Sequence, residues 1–514
     1  MNKKIIALSV FATLSTSAFA DANGDMLLQL ELLKKQIASL ESRMNSNDKV
    51  VKKNTKKIKK TAKKLNVVKA HDAGDNIKWD IDFRTSVDKI NYTHADGSKS
   101  NNDALLTNRL LLGMKYKADD KVSFYGTLGY NKAYGDTANH SQSNTQPGYA
   151  DFDWVTNENA NDGTMKLKEA YWLYMNDTFF GANMPWTASV GRRPSTGGLG
   201  INYREGDKRK SAIASTVNIE FDGASFKWNT DQVGLPEGSW FKICAGRGVT
   251  NAKQRFQNNG ADYTSDKTLH SDSDMIGLIV VPWDNGQYSV HTNYAKAVNM
   301  IGFDTTPMNA YQGAYANYMQ NQTDANYTAL MNAQAKNKFQ DVGDLSIMTA
   351  MFKADGIGNE INDFLDETTF FASFSQSKTA PKDGHLMIGE SESKTGNSVW
   401  LGVQMPCLLS DDGRFGLEWN KGSRYWRSMT YGEDTMIGSK IAARGTAIEA
   451  YWLKPLTKAL SMSVRYTKIN YDYTGSNAFF GAEGKAYAIN SAQAKGMKSV
   501  SDASDLRIAM RYKF

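Results

Sequence analysis

From residue 77 to the C-terminus, stretches in which apolar and polar residues alternate with a period of two recur along this chain. In the first of these, Ile77, Trp79, Ile81, Phe83, Thr85 and Val87 alternate with Lys78, Asp80, Asp82, Arg84, Ser86 and Asp88. At the C-terminus Leu506, Ile508, Met510, Tyr512 and Phe514 alternate with Arg507, Ala509, Arg511 and Lys513. Such a stretch, when extended, carries one apolar and one polar face. Charges set so densely against aromatics suit a wall with lipid on one side and water on the other. A strand facing lipid must pair along both edges, because no water is there to satisfy its backbone. The wall must therefore close on itself.

Leu110–Tyr116 and Val122–Tyr130, joined by Ala118-Asp119-Asp120, form the next hairpin of the pattern. Further strands are expected at 165–175, 186–193, 212–221, 240–247, 275–283, 288–297, 345–354, 367–376, 398–405, 414–419, 446–453 and 460–472. Short connections (118–120, 284–286, 406–413, 454–458) alternate with long polar ones (131–164, 248–273, 299–342, 420–445, 474–503). Outer-membrane barrels alternate in this way. The expectation is an all-β transmembrane barrel of 16 antiparallel strands over residues 77–514. The segment 211–230 changes parity around Asp222-Gly223, either as a bulge in one long strand or as a hairpin. The hairpin, with a further strand near His385–Gly389, gives an alternative of 18.

Ahead of the barrel the periodicity changes. Residues 1–20 have a basic start (Lys3, Lys4), an apolar centre and the small-residue end Ser17-Ala18-Phe19-Ala20, the layout of a secretory signal peptide. From Leu30 the apolar positions fall on a heptad. One seam is Leu30, Ile37, Met44, Val51, Ile58 and Leu65; the other is Leu33, Leu40, Asn47, Asn54, Thr61 and Val68. This predicts a coiled coil within residues 21–70, with Asn47 and Asn54 fixing register and strand number. Residues 71–76 read as a hinge.

Composition narrows the picture. Mean hydropathy of −0.52 and the lack of a long apolar run after the leader argue against a helical membrane protein. They do not argue against a barrel, whose strands are half polar. The net charge is +7. Residues 21–74 carry 13 Lys/Arg against 6 Asp/Glu, so the barrel itself is close to neutral. Nine lysines lie between Lys49 and Lys64 with no acid among them. Export excludes a nucleic-acid partner, which leaves a solvated helix face or attraction to periplasmic anions, either cell-wall polymer or lipid headgroups. Cys244 and Cys407 read as unpaired thiols, a disulfide being the alternative.

The stretch 191–210 is the candidate pore constriction. It combines Arg192, Arg193, Arg204, Lys208, Arg209 and Lys210 with Glu205, Asp207 and Tyr203. Opposed charges in a low-dielectric mouth sort solutes by charge, and six cations against two anions lean towards anions. Strand parity adds Arg84, Arg247, Arg465, Arg507 and Arg511 to the lumen. Asp151, Asp153, Asn157, Glu158, Asn159, Asn161 and Asp162 are an oxygen-rich loop that could hold Ca²⁺, but without EF-hand spacing it reads as solvated. No metal or cofactor site is expected. The six histidines lie mostly in loops, only His291 clearly in a strand, and there is no G-x-S-x-G elbow, so no enzyme is expected.

The terminal alternation ending in Tyr512 and Phe514 resembles the signal read by the barrel assembly machinery of bacterial outer-membrane proteins. Leader, coiled coil, charged lumen and terminal Phe together resemble trimeric Gram-negative outer-membrane porins, and phosphate-selective-type porins likewise carry an N-terminal coiled coil. Lys168-Glu169-Ala170-Tyr171-Trp172 through Gly191-Arg192-Arg193-Pro194-Ser195-Thr196-Gly197-Gly198 is similar to an uncharacterised porin-like family of epsilon-type proteobacteria. In general porins the pore-narrowing loop follows the fifth strand, where 191–210 lies. The resemblance implies a homotrimer in the outer membrane, its arm in the periplasm, passing small hydrophilic solutes by passive diffusion. The alternative is a structural tether or adhesin anchored by the barrel, with the lysine arm on the cell wall.

Overall fold

The computed structural model describes residues 31–40, 42, 55, 57, 77–134, 165–252, 263–265, 270–358, 361–410 and 412–514. The chain divides into two units, Met1–Asn76 and Ile77–Phe514. In the first, residues 31–40 are helical, with Leu33, Ile37 and Leu40 exposed. The leader, the hinge, Asn47, Asn54 and most of the lysine run lie outside the described residues. So does the oxygen-rich loop 151–162.

The second unit is a closed barrel of 16 antiparallel strands, each hydrogen-bonded to its neighbours in chain order. They are β1 (Ile77–His94), β2 (Lys99–Lys117), β3 (Val122–Ala133), β4 (Met165–Asn176), β5 (Trp186–Arg192), β6 (Asp222–Asn229), β7 (Trp240–Val249) and β8 (Ser273–Asp284). Then follow β9 (Tyr288–Gly302), β10 (Gln340–Asp355), β11 (Thr369–Pro381), β12 (Thr395–Pro406), β13 (Arg414–Gly422), β14 (Gly445–Pro455), β15 (Leu460–Tyr471) and β16 (Val500–Lys513). Pairing of β1 with β16, Asp82 opposite Lys513 through Asn91 opposite Ser504, closes the ring.

The wall is inside out relative to a water-soluble sheet. On β16 the apolar Leu506, Ile508, Met510 and Tyr512 are 38–44% exposed, whereas Asp505, Arg507, Ala509 and Arg511 are 1–9% exposed. On β1, Trp79, Ile81 and Phe83 face outwards while Asp82, Arg84, Ser86 and Asp88 are buried. An exterior band of large apolar residues around a polar interior is what a hydrocarbon solvent selects. Among the described residues, no helix is long and apolar enough to cross a membrane.

Connections at the end that holds Ile77 and Phe514 are short, such as 118–121, 285–287 and 456–459. At the other end 193–221, 303–339, 423–444 and 472–499 are long. The connection 303–339 forms two helices packed on one another, α1 (Thr305–Gln320) and α2 (Asp324–Lys336). Thr323 caps α2, its hydroxyl accepting from the Asn326 N–H.

Two features depart from the sequence reading. The sixth strand is not 212–221 but β6, starting at Asp222. Ile213, Val217 and Ile219 are apolar because they are buried inside the barrel, packed on wall and loop residues rather than facing lipid. Ser211–Ile213 runs parallel to Gly198–Leu199, and Val217–Asn218 parallel to Met429–Thr430 of the connection after β13. The parity change at Asp222-Gly223 marks where this inner segment rejoins the wall. Gly223 is needed there, since a Cβ would sit 2.1 Å from the Ala245 carbonyl oxygen. Nor is His385–Gly389 a strand: Met387 and Ile388 are fully buried in a turn. The count is 16.

The barrel therefore contains a core. Val217, Ile219, Leu345, Ile347, Trp426 and Phe480 form one apolar cluster, and Leu199, Ile213, Met351, Phe371, Trp400 and Ile441 a second. Segments 194–221 and 423–444 supply most of the residues that are not wall. Arg427 and Arg444 fasten the second segment to the connection 472–499 through backbone carbonyls, at 2.8 Å to Ala478 and 2.7 Å to Gly484.

Candidate functional site

After β5 the chain turns into the barrel instead of over its rim. Gly200, at φ +99°, opens the short helical turn Ile201–Arg204 and lies against the Trp400 ring, where a Cβ would come within 2.2 Å. A residue other than glycine would clash there as well as strain the backbone. This turn delivers Arg204, Glu205, Asp207 and Lys208 to a cleft against the β1–β2 wall, where Asp82 and Arg109 meet Asp434 from segment 423–444.

The cleft is held by a continuous charge network. Arg84 forks onto the Asp434 carboxylate, with Nη2 2.7 Å from Oδ1 and Nη1 bonded to Oδ2. Arg109 reaches the same carboxylate at 3.0 Å and Asp82 at 3.4 Å. Arg511 joins Asp82 (Nε to Oδ1, 2.7 Å) to Asp207 (2.7 Å) and donates to the Glu205 carbonyl at 2.8 Å. Arg465 bonds Glu205 at 3.3 Å and the Asp434 carbonyl at 2.7 Å. Arg507 holds Asp88 at 2.5 Å. Deeper in, Lys440 lies between Glu418 (2.6 Å) and Glu449 (2.5 Å), and Arg204 completes Glu449 at 3.2 Å. Buried charges persist only when paired and hydrogen-bonded in this way.

Burial and the adjacent Asp434 carboxylate push the Glu205 carboxyl up, but Arg84, Arg109 and Arg465 outweigh them and hold it down to about 2. Burial likewise opposes ionisation of Asp434, and the guanidinium groups of Arg84, Arg109 and Arg507 overcome it, keeping the acid well below the usual range. Both are anions at neutral pH. Burial raises the Glu433 carboxyl, against hydrogen bonds from Ser439 and Thr430. In the connection 472–499, burial lifts Glu483 to about 7.

Of the residues expected at a constriction, Arg204, Glu205, Asp207 and Lys208 line the cleft, and Arg84 adjoins it. Arg192 does not: it shares the outward parity of Val190 and pairs with Asp222 across the β5–β6 ladder at 2.9 Å. Arg247 is also on the outward parity of Ile243 and pairs with Asp272 and Asp274. Arg193 and Arg209 turn towards another part of the interior, Arg193 over the Tyr171 ring and Arg209 over the Trp240 ring. Tyr512 and Phe514 lie on the outer face of the closing seam.

Sequence reading missed Asp434, Glu418, Glu449 and Lys440. Glu418 and Glu449 sit on inward positions of β13 and β14, and parity applied to acids as well as arginines would have found them. Asp434 and Lys440 lie in a connection with no periodic signal. Cys244 and Cys407 are both free.

His291 and Ser289 are 2.9 Å apart, Nε2 to Oγ. Arg209, which can only donate, faces Nδ1 at 3.0 Å. Nδ1 must then accept and Nε2 carry the hydrogen, so His291 donates towards Ser289 and is no base for it.

From Lys99, the first residue of β2, to Phe514 the chain matches a family model described as "Protein of unknown function (DUF3373)". No curated protein matches it in sequence. Solved structures similar to it include Salmonella typhi OmpF in complex with daunomycin (11% identity, 86% of this chain and 99% of that one, TM-score 0.43). Others are Pseudomonas putida OprB at high pH (11%, 88% and 97%, TM-score 0.44) and an anion-selective porin from Comamonas acidovorans (10%, 85% and 100%, TM-score 0.45). Matched over every barrel strand but the first, this chain belongs to the DUF3373 family.

Proposed function

We propose that the protein is an outer-membrane porin, a passive diffusion channel for small hydrophilic solutes with a preference for anions. The observation that carries this reading is the inverted wall: apolar side chains outside a closed 16-stranded ring, and a charged interior narrowed by a loop entering after β5. Rings of 16 or more strands are wide enough for an aqueous path. Among the cations of 191–210, Arg192 and Arg204 are paired with acids, while Arg193, Lys208, Arg209 and Lys210 have no carboxylate partner among the described residues. The two acids of the stretch, Glu205 and Asp207, are taken by Arg465, Arg511 and Lys513. That imbalance favours anions.

In this reading the long connections face outwards and the end of the barrel that holds Ile77 and Phe514 faces the periplasm. Residues 21–70 form a trimeric coiled coil there, registered by Asn47 and Asn54, and the assembly machinery reads Tyr512 and Phe514. The exposed seam residues Leu33, Ile37 and Leu40 support a helix that expects partners. The lysine-rich second half of the arm favours an additional tethering role on cell-wall polymer. Recording the purified full-length protein in planar bilayers tests the proposal. Stepwise conductance grouped in threes, with salt-gradient reversal potentials of anion sign, is expected. A protein that inserts but passes no current is a tether or adhesin instead.

A further inference from the structure

The interior is electrically lopsided. Around the cleft Arg84, Arg109, Arg465, Arg507 and Arg511 are matched by carboxylates, as are Lys440 and Arg204 deeper in, while Arg427 and Arg444 bond backbone carbonyls; the wall formed by β5–β7 is different. Lys227 on β6 and Lys242 on β7 are directly opposite one another in the ladder. Both share the inward parity of Ser225 and Cys244, since Phe226 and Ile243 on the other parity are the exposed apolar face. Opposed side chains in an antiparallel pair stand about 5 Å apart at Cβ, and like charges there destabilise the sheet. Neither lysine has a carboxylate within ion-pairing distance among the described residues.

Two further cations converge on this wall from segment 193–221. Arg209 stacks over Trp240, 5.3 Å from its centroid, and Lys227 approaches the same ring at 4.4 Å. Arg193 leans over Tyr171 at 5.3 Å, and its buried Nε has no hydrogen-bond partner. Glu169, which acts on it without an ion pair, accepts from the Thr127 hydroxyl. The aromatic faces soften the repulsion without cancelling a whole charge. Four cations in a low-dielectric wall, two of them opposed ammonium groups and one with an unsatisfied donor, are the complement of a compact polyoxygen anion.

We infer that Lys227, Lys242, Arg193 and Arg209 form a binding site for a small oxyanion on the lumen side of β5–β7. It holds an anion in transit while Trp240 keeps Arg209 and Lys227 turned inwards. The site gives the anion preference of the proposed channel a location, and for its use in transport it rests on that proposal. Binding and conduction are separately measurable.

The test uses the detergent-purified full-length chain, titrated at constant ionic strength with sodium phosphate, sodium sulfate or sodium succinate against a chloride background. Saturable binding of at least one is expected, and the tightest of the three fixes the class. Affinity should fall at least tenfold in Lys242→Gln and further in the Lys227→Gln/Lys242→Gln double variant, with Lys242→Arg retaining it. Because those changes remove a like-charge pair, the double variant should melt in chloride no lower than wild type. Equal affinity in the folded double variant, or no saturable binding of any of the three by wild type, overturns the site. Conduction without binding would leave the channel standing and the site refuted; binding without conduction would do the reverse.

Discussion

Phe514 and Ile81 exchange both of their backbone hydrogen bonds, 2.9 Å in each direction, so the last residue of the chain is the last rung of the closing seam. In lipid an unmatched rung has no water to turn to. Deleting Phe514 strands the Ile81 N–H and C=O. It should reduce the heat-modifiable, membrane-inserted fraction severalfold on unheated gels, whereas Phe514→Tyr should leave it close to wild type.

Among the described residues, Lys440 is the one cation paired with both Glu418 and Glu449. Replacing it by Met leaves Glu449 to Arg204 and Arg465 and takes away the cation that pairs with the buried Glu418. Breaking a buried pair in this way costs about 3–5 kcal/mol. Urea titration of the folded barrel in micelles should show that loss, and adding Glu418→Gln should restore part of it. A Lys440→Met protein as resistant to urea as wild type would show that the network does not hold the loop.

Asp434 neutralises Arg84 and Arg109 at the cleft. Asp434→Asn keeps the shape and removes the charge. The reversal potential in a salt gradient should move in the anion-selective direction. No movement would place the permeation path away from this cleft.

Acid and neutral pH should act on different connections, with opposite signs. Glu205 is held at about 2, below its unfolded value of about 4.3. The stability it contributes is present above that unfolded value and is lost as pH falls towards 2. Glu483 is raised to about 7, so its contribution is complete below about 4.3 and disappears as pH rises through 7. Hydrogen exchange in segment 472–499 should therefore quicken above pH 7 in wild type and lose that pH step in Glu483→Gln. Exchange around 201–207 should quicken only in acid.

The strands were legible because lipid and water impose a period of two, and 15 of the 16 predicted strands overlap a wall strand at the same place in the ring. Segment 212–221 misled for a physical reason. Alternation reports that one face of an extended segment meets apolar atoms, not whether those atoms are lipid or the inside of a filled barrel. The cleft was half legible: Arg204, Glu205, Asp207 and Lys208 stood out as a dense run, whereas Asp434 acquires its role only from a fold that brings residues 84 and 434 together. Arg192 failed because a dense cation run straddles a strand end, where successive side chains part to opposite faces.

The arginine fork joins positions 84 and 434, 350 positions apart in the chain. That fork cannot form until the connection between the thirteenth and fourteenth strands is in place, and Arg507 and Arg511 add their grip only when the sixteenth arrives. A barrel assembled in strand order would carry unmatched guanidinium and carboxylate groups until its last strands join. Contents and container must be completed together.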